Sequence, residues 1–193
     1  MKIFCYGDSD TYGHDPTSPI GAPYPPSVRW TDRLAAATGW EIVNGGLNGR
    51  EIPHTAGELE TARRRFAGEA PMDLGVVFLG SNDLFQGCSA LETRDRMAAF
   101  LDQLTGYPLL LLAPVPMVSG TWITEERLVT ESALLADLYE ELARTRGVWF
   151  ADPGTWDIEM AFDGAHYSPE GHRVFALRME ELLSGILLGS KDS

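Results

Sequence analysis

Four short segments carry the residue types that can do chemistry. GDSDTYG holds Ser9, NGGLNGRE holds Gly49, GSND holds Asn82, and DGAH holds Asp163 and His166. Together they supply a hydroxyl, a flexible glycine, a primary amide and a carboxylate–imidazole pair, an inventory that suits acyl transfer. A serine hydroxyl is a poor nucleophile until a base takes its proton. His166 can be that base, and Asp163 can orient the ring and stabilise the imidazolium. A tetrahedral oxyanion also needs donors. The Ser9 N–H sits at an expected helix N-terminus, where unpaired donors and the dipole favour negative charge. The Gly49 N–H and the Asn82 side-chain amide can complete the hole, and glycine at 49 allows close approach and positive φ.

Each residue has a plainer reading beside the chemical one. Ser9 alone would read as a helix cap, and Asn82 and Asp83 as turn residues. Asp8 reads as a structural hydrogen-bonding group, and Gly45 and Gly46 as turn glycines. His172 competes with His166 because Glu170 lies near it, but it falls inside the last expected helix and reads as structural. His54 follows the Gly49 loop closely enough to reach the same rim. It joins Asp10, Met117 and Trp122 as a candidate substrate contact, with His14 in a similar position. Arg50 is expected to pair with an acid and brace the Gly49 loop, and Trp30 to serve in packing or an oligomer contact. The histidines show no metal-ligand spacing and two cysteines make no zinc site, so no metal is expected.

The elements that must position these groups follow from hydrophobic patterning. Short apolar runs at Lys2–Tyr6, Trp40–Asn44, Asp73–Leu79, Pro108–Val115 and Gly147–Ala151 suit strands buried on both faces. Helices fit between them. Ser27 is a candidate cap for Val28–Thr38, which Gly39 stops. Thr55 with Glu58, and Ser89 with Glu92, are capping boxes for helices ending near Ala67 and Thr105. A fourth helix runs from Thr124 to Arg146. A fifth starts at Ser168–Pro169, with Phe175, Met179, Leu182, Leu183 and Ile186 on one face. Strict β–α alternation predicts a three-layer α/β/α fold with a five-stranded parallel sheet in the flavodoxin-like order 2-1-3-4-5. In such sheets ligands bind at the carboxyl ends of the strands, where the four segments fall. The longer connections Gly13–Pro26 and Pro114–Ile123 are expected to face either substrate or solvent.

Composition narrows the partners. The 193 residues read as a single domain, residues 1–193, with 44% hydrophobic and 22% charged residues. A net charge of −13 argues against nucleic acid and anionic membrane, since phosphate binding needs a surplus of Lys and Arg. Cys5 reads as a small core residue and Cys88 as loop, with no disulfide framework. The first apolar run is too short for a secretory signal and no stretch approaches a membrane span, so a cytoplasmic setting is expected.

The four blocks, in this order, resemble those of the GDSL-type (SGNH) hydrolase superfamily. RWTDRLAAATG and GLNGRE look most like its small bacterial arylesterase and acyltransferase branch. The resemblance spans residue 2 to about 175. It implies Ser9 as nucleophile, Asp163 and His166 as its partners, and Ser9, Gly49 and Asn82 as oxyanion donors. It implies no metal, no organic cofactor, and a small-molecule ester as substrate. Relatives of this kind can form homo-oligomers, although the sequence marks no interface. The expected activity is hydrolysis of short acyl or aryl esters; the alternatives with the same triad are deacetylation of sugar esters and acyl transfer to an alcohol.

One residue departs from the pattern. Asp10 stands where the family usually has leucine, or one of a few alternatives such as asparagine. A carboxylate about 7 Å from a developing oxyanion would oppose it by roughly 2 kcal/mol at an effective dielectric near 20. Non-catalytic flavodoxin-like readings fit less well. A phosphoacceptor domain needs a lysine after strand five, and none lies between Lys2 and Lys191.

Overall fold

The computed structural model describes residues 1–189; residues 190–193, the end of the expected domain, lie outside the described residues. Five strands form one parallel sheet: β1 (Lys2–Gly7), β2 (Glu41–Asn44), β3 (Leu74–Phe78), β4 (Leu109–Leu112) and β5 (Trp149–Ala151). Their order is β2-β1-β3-β4-β5, as the alternation predicts. The register pairs Cys5 with Val76 and Val77 with Leu111, so β1, β3 and β4 form an almost fully buried centre.

Because strand side chains alternate between faces, each central strand feeds two cores. Phe4, Tyr6, Val77 and Leu111 pack against Phe66, Phe100, Leu135 and Tyr139. The intervening Ile3, Cys5, Val76 and Leu110 pack against Trp30, Leu34, Phe175 and Met179. The residues of the first core belong to α3 (Ala56–Glu69), α5 (Ala90–Asp102) and α6 (Glu126–Arg146). Those of the second belong to α2 (Trp30–Thr38) and α7 (Pro169–Gly189). Two short helices, α1 (Ser9–Tyr12) and α4 (Ser81–Phe85), directly follow β1 and β3. Among the described residues no helix is long and apolar enough to cross a membrane.

Local chemistry explains most helix boundaries. Both capping boxes form: Thr55 and Ser89 accept from the N–H of Glu58 and Glu92, whose carboxylates reach back. Gly39 and Gly147 adopt the left-handed conformation that ends α2 and α6. Ser27 does not cap. The α2 helix begins at Trp30 instead of Val28, and Ser27 offers its carbonyl to Arg33. The reason is tertiary: Trp30 is fully buried and donates its indole N–H to the Asp10 carbonyl at 2.9 Å, which fixes where the helix can start. Trp30 is therefore a packing residue. The α6 helix likewise starts at Glu126, two residues later than Thr124.

Close packing between β2 and α1 sets the floor of the strand-end rim. A Cβ on Gly46 would lie 2.1 Å from the Tyr12 nitrogen, and Asn44 donates to the Thr11 carbonyl at 2.7 Å. Gly46→Ala is therefore expected to destabilise the protein by about 1–3 kcal/mol, the usual cost of overpacking. Thermal melting should register this as a fall of roughly 2–12 °C. An unchanged melting temperature would contradict the packing described here.

Candidate active site

Ser9 is the first residue of a single helical turn held at both ends. Asp8 caps it by accepting from the Asp10 N–H at 3.1 Å, and Gly13 closes it at φ +83° with its N–H on the Ser9 carbonyl. A Cβ at Gly7 would meet the Thr11 side chain at 2.0 Å, so the chain entering this turn must be glycine. The hydroxyl thereby projects from the carboxyl end of β1.

His166 reaches it from the other side of the sheet order. Its Nε2 lies 3.0 Å from the Ser9 Oγ, and its Nδ1 lies 2.6 Å from Asp163 Oδ2. Asp163 is fully buried, and its other oxygen accepts the backbone N–H groups of Ala165 and His166, each at 3.0 Å. With Nδ1–H committed to a carboxylate, Nε2 is left to accept the serine proton. Backbone bonds brace the Asp163 loop: Thr121 donates to Phe162, Trp122 and Ile123 donate to Asp163, and Val118 donates to Gly164. Gly120 permits this contact, since a Cβ there would lie 2.4 Å from the Asp163 backbone.

Gly49 occupies the third position of a turn in which the Arg50 N–H donates to the Leu47 carbonyl. Its φ of +72° is what that position demands when the turn is of type II. The turn's own bond uses the Arg50 N–H, so the Gly49 N–H takes no part in it. Arg50 braces this loop through the carbonyls of Gly7 and Gly45, and its guanidinium lies 4.2 Å from the Tyr6 ring centre. Carbonyls and an aromatic face thus do what an acid was expected to do. Asn82, in the first turn of α4, donates its amide to the Arg50 carbonyl at 3.1 Å and, more weakly, to Asp8 at 3.4 Å.

Ser9, Gly49, Asn82 and His166 line one cleft of about 260 Å³ together with Asp10, His14, Asn48, Ser81, Phe85, Trp122 and Ala165. Trp122 stands edge-on to the His166 ring at 5.2 Å. Two expected contacts do not reach this cleft. Met117 is buried in the core under α6, where its N–H donates to the Ser132 hydroxyl. Its apolar side chain gains more from that core than from a wet rim. His54 lines a separate depression with Cys88 and Arg96, its Nδ1 turned to the Ile52 carbonyl at 2.9 Å. The chain turns away after Ile52 because Ile52 is itself fully buried. His14, an expected contact, does line the cleft, and so does Asn48, which the sequence reading does not single out. His14 reaches the cleft through the Gly13–Pro26 connection, a path that periodicity does not describe.

His172 is buried within α7 between Tyr24 and Tyr167, and burial holds its pKa down at about 4. Burial of His166 disfavours its charged form. The Asp163 hydrogen bond and the Asp10, Asp163 and Asp8 carboxylates outweigh that, so its pKa stands above the usual histidine value. Asp163 is held low: burial pushes it up, but the hydrogen bonds from His166 and Ala165 prevail. Burial raises Asp8 to about 6. Burial, then Asp8, hold Asp10 well above the carboxylate range. That burial disfavours the charged form of Asp10, the form that would oppose an oxyanion.

Glu51, His54 and Asp83 bring potential metal-ligating atoms within 4.8 Å of one another. Arg96 already bridges the two carboxylates, at 3.0 Å from Glu51 and 2.8 Å from Asp83. The other Asp83 oxygen accepts the Ile52 N–H at 3.0 Å. Asp83 thus ties the segment after Gly49 to the helix that carries Asn82.

This geometry on a parallel α/β/α sheet defines an ester hydrolase of the SGNH type: an alcohol, an imidazole and a carboxylate in line, with donors at neighbouring strand ends. The chain belongs to the GDSL-like lipase/acylhydrolase family, whose family model matches residues 5–174. It is a carboxylic ester hydrolase. A carbohydrate acetylesterase family member from Sinorhizobium meliloti is similar at 25% identity and TM-score 0.85, with 97% of this chain and 99% of that chain covered. The native aryl esterase of M. smegmatis is similar at 25% identity and TM-score 0.84, with 96% and 99% covered. No curated protein matches the chain.

Asp83→Ala should leave the Ile52 N–H and Arg96 without their acceptor, costing about 1–3 kcal/mol of stability. It is expected to lower kcat for ester hydrolysis by about tenfold. Asp83→Asn, which keeps an acceptor for Ile52, should recover part of that loss. Equal kcat in all three proteins would remove Asp83 from the positioning of this loop.

Proposed function

We propose that the protein hydrolyses small carboxylic esters through an acyl-enzyme on Ser9. The observation that carries this reading is the continuous hydrogen-bonded line from Asp163 through His166 to the Ser9 hydroxyl. As the Ser9 oxygen bonds to the ester carbonyl carbon, its proton passes to His166 Nε2. The carbonyl oxygen takes the negative charge and accepts from the Ser9 and Gly49 N–H groups and from Asn82. The long Asn82–Asp8 bond is the one that such an oxyanion would most readily replace. Collapse of the tetrahedral adduct breaks the bond to the alcohol oxygen, which leaves with the His166 proton. Water, deprotonated by His166, then releases the acid and regenerates Ser9. Burial, by disfavouring a charge on Asp10, weakens the repulsion that the sequence suggests there. A cleft of about 260 Å³ favours short acyl groups.

Ser9→Ala is expected to reduce p-nitrophenyl acetate hydrolysis by at least about 10⁴-fold. It should also abolish covalent labelling by a fluorophosphonate. Equal turnover by the two proteins would overturn the assignment. Asp10→Asn, which keeps the size of the side chain without an ionisable group, should change turnover less than about tenfold; a hundredfold gain would mean that Asp10 is inhibitory.

The reaction needs neutral His166, whose pKa is raised. Activity should therefore fall with decreasing pH through a midpoint above about 6.5. Asp163→Asn removes the strongest group holding that pKa up. It should lower both kcat and the midpoint in a pH series of kcat/KM, and an unmoved midpoint would assign the titration to another group.

A further inference from the structure

The cleft contains a second imidazole, to which the ester mechanism assigns no role. His14 packs against His166 with ring centres 4.4 Å apart and lies 6.2 Å from Trp122. Its tautomer can be read from its neighbours. Asn48 Nδ2 lies 3.1 Å from the Gly21 carbonyl, which only accepts, so that atom is the amide nitrogen. The same nitrogen lies 3.3 Å from His14 Nδ1, which must then accept. In a neutral imidazole this leaves the proton on Nε2. Burial, and then the nearby His166, lower the His14 pKa and keep the ring neutral. His14 thus offers a bound molecule one uncharged N–H donor.

The other polar atoms of a simple ester are already matched. The carbonyl oxygen goes to Ser9, Gly49 and Asn82, and the alcohol oxygen takes its proton from His166. A donor tilted against the His166 ring, which hands its proton to the leaving oxygen, is placed to meet a further acceptor close to that oxygen. A hydroxyl on the adjacent carbon of the alcohol is such an acceptor. Trp122, 54% exposed beside both imidazoles, offers an apolar face to the C–H side of the same carbon chain. Resting on the ester-hydrolase reading above, we propose that His14 is a specificity-determining residue that donates from Nε2 to a vicinal hydroxyl of the leaving alcohol, so that the preferred substrates are acyl esters of polyols and sugars.

The test compares two acetates of equal carbon skeleton, glycerol 1-monoacetate and n-propyl acetate, in the intact protein and in His14→Phe. The expected kcat/KM ratio in the unmodified protein favours the glycerol ester by about tenfold or more, the value of one good hydrogen bond. In His14→Phe, whatever the absolute rates, that ratio should collapse towards one; His14→Gln, which keeps a donor, should restore part of it. A ratio near one in the unmodified protein overturns the proposal without any variant. A ratio that His14→Phe leaves unchanged overturns it as well, because His14 would then act on both esters alike. Failure of the ester-hydrolase reading would look different: Ser9→Ala would hydrolyse both acetates as fast as the unmodified protein.

Discussion

The short hydrogen bond from His166 to Asp163 is the interaction on which the rest of the site depends. A buried carboxylate with two backbone N–H groups on one oxygen has little freedom, so its other oxygen fixes both the direction and the tautomer of the imidazole. Only then does Nε2 face the Ser9 hydroxyl. Much of the surrounding structure serves to keep Asp163 dry and still. Gly120 lets the Pro114–Ile123 connection lie directly on the Asp163 loop, and backbone bonds from Val118, Thr121, Trp122 and Ile123 hold the two together.

The parallel sheet supplies the second constraint. It directs the ends of β1, β2, β3 and β5 to one rim, and the loops from those ends meet there. The candidate oxyanion donors come from three such loops. They are cross-tied by groups that do no chemistry themselves: Arg50 to the Gly7 and Gly45 carbonyls, Asn82 to the Arg50 carbonyl, and Asp83 to Ile52 and Arg96. Pre-set donors are effective because nothing has to reorganise when charge develops.

Acidity in the cleft is arranged by burial. Asp8 and Asp10 lie in the same helical turn with little solvent, so two full charges there would be costly. Asp8 keeps hydrogen bonds from Asp10 and Asn82, whereas one Asp10 oxygen is buried with no partner in the described residues. Burial accordingly weighs against a charge on Asp10. An aspartate where the family usually has leucine, or alternatives such as asparagine, is thus held in surroundings that disfavour its charge.

The amino-acid sequence alone was enough for the strand–helix alternation, the sheet order, both capping boxes and the order of the four chemical segments. These depend on short-range pattern, on local caps and on the handedness of β–α crossovers, which hold wherever the chain folds. Tertiary structure decided what pattern cannot carry. It placed Met117 in the core and His54 in another depression, although both lie near the right segments, because burial of Met117 and Ile52 determines where each backbone turns. It started α2 at Trp30 through an indole bond to Asp10, where Ser27 offered a local cap. It brought His14 onto His166 through a connection without periodicity, and it buried Asp10 beside Asp8. Each of these outcomes depends on how much water and which partner a side chain meets after folding, quantities that no stretch of sequence contains by itself.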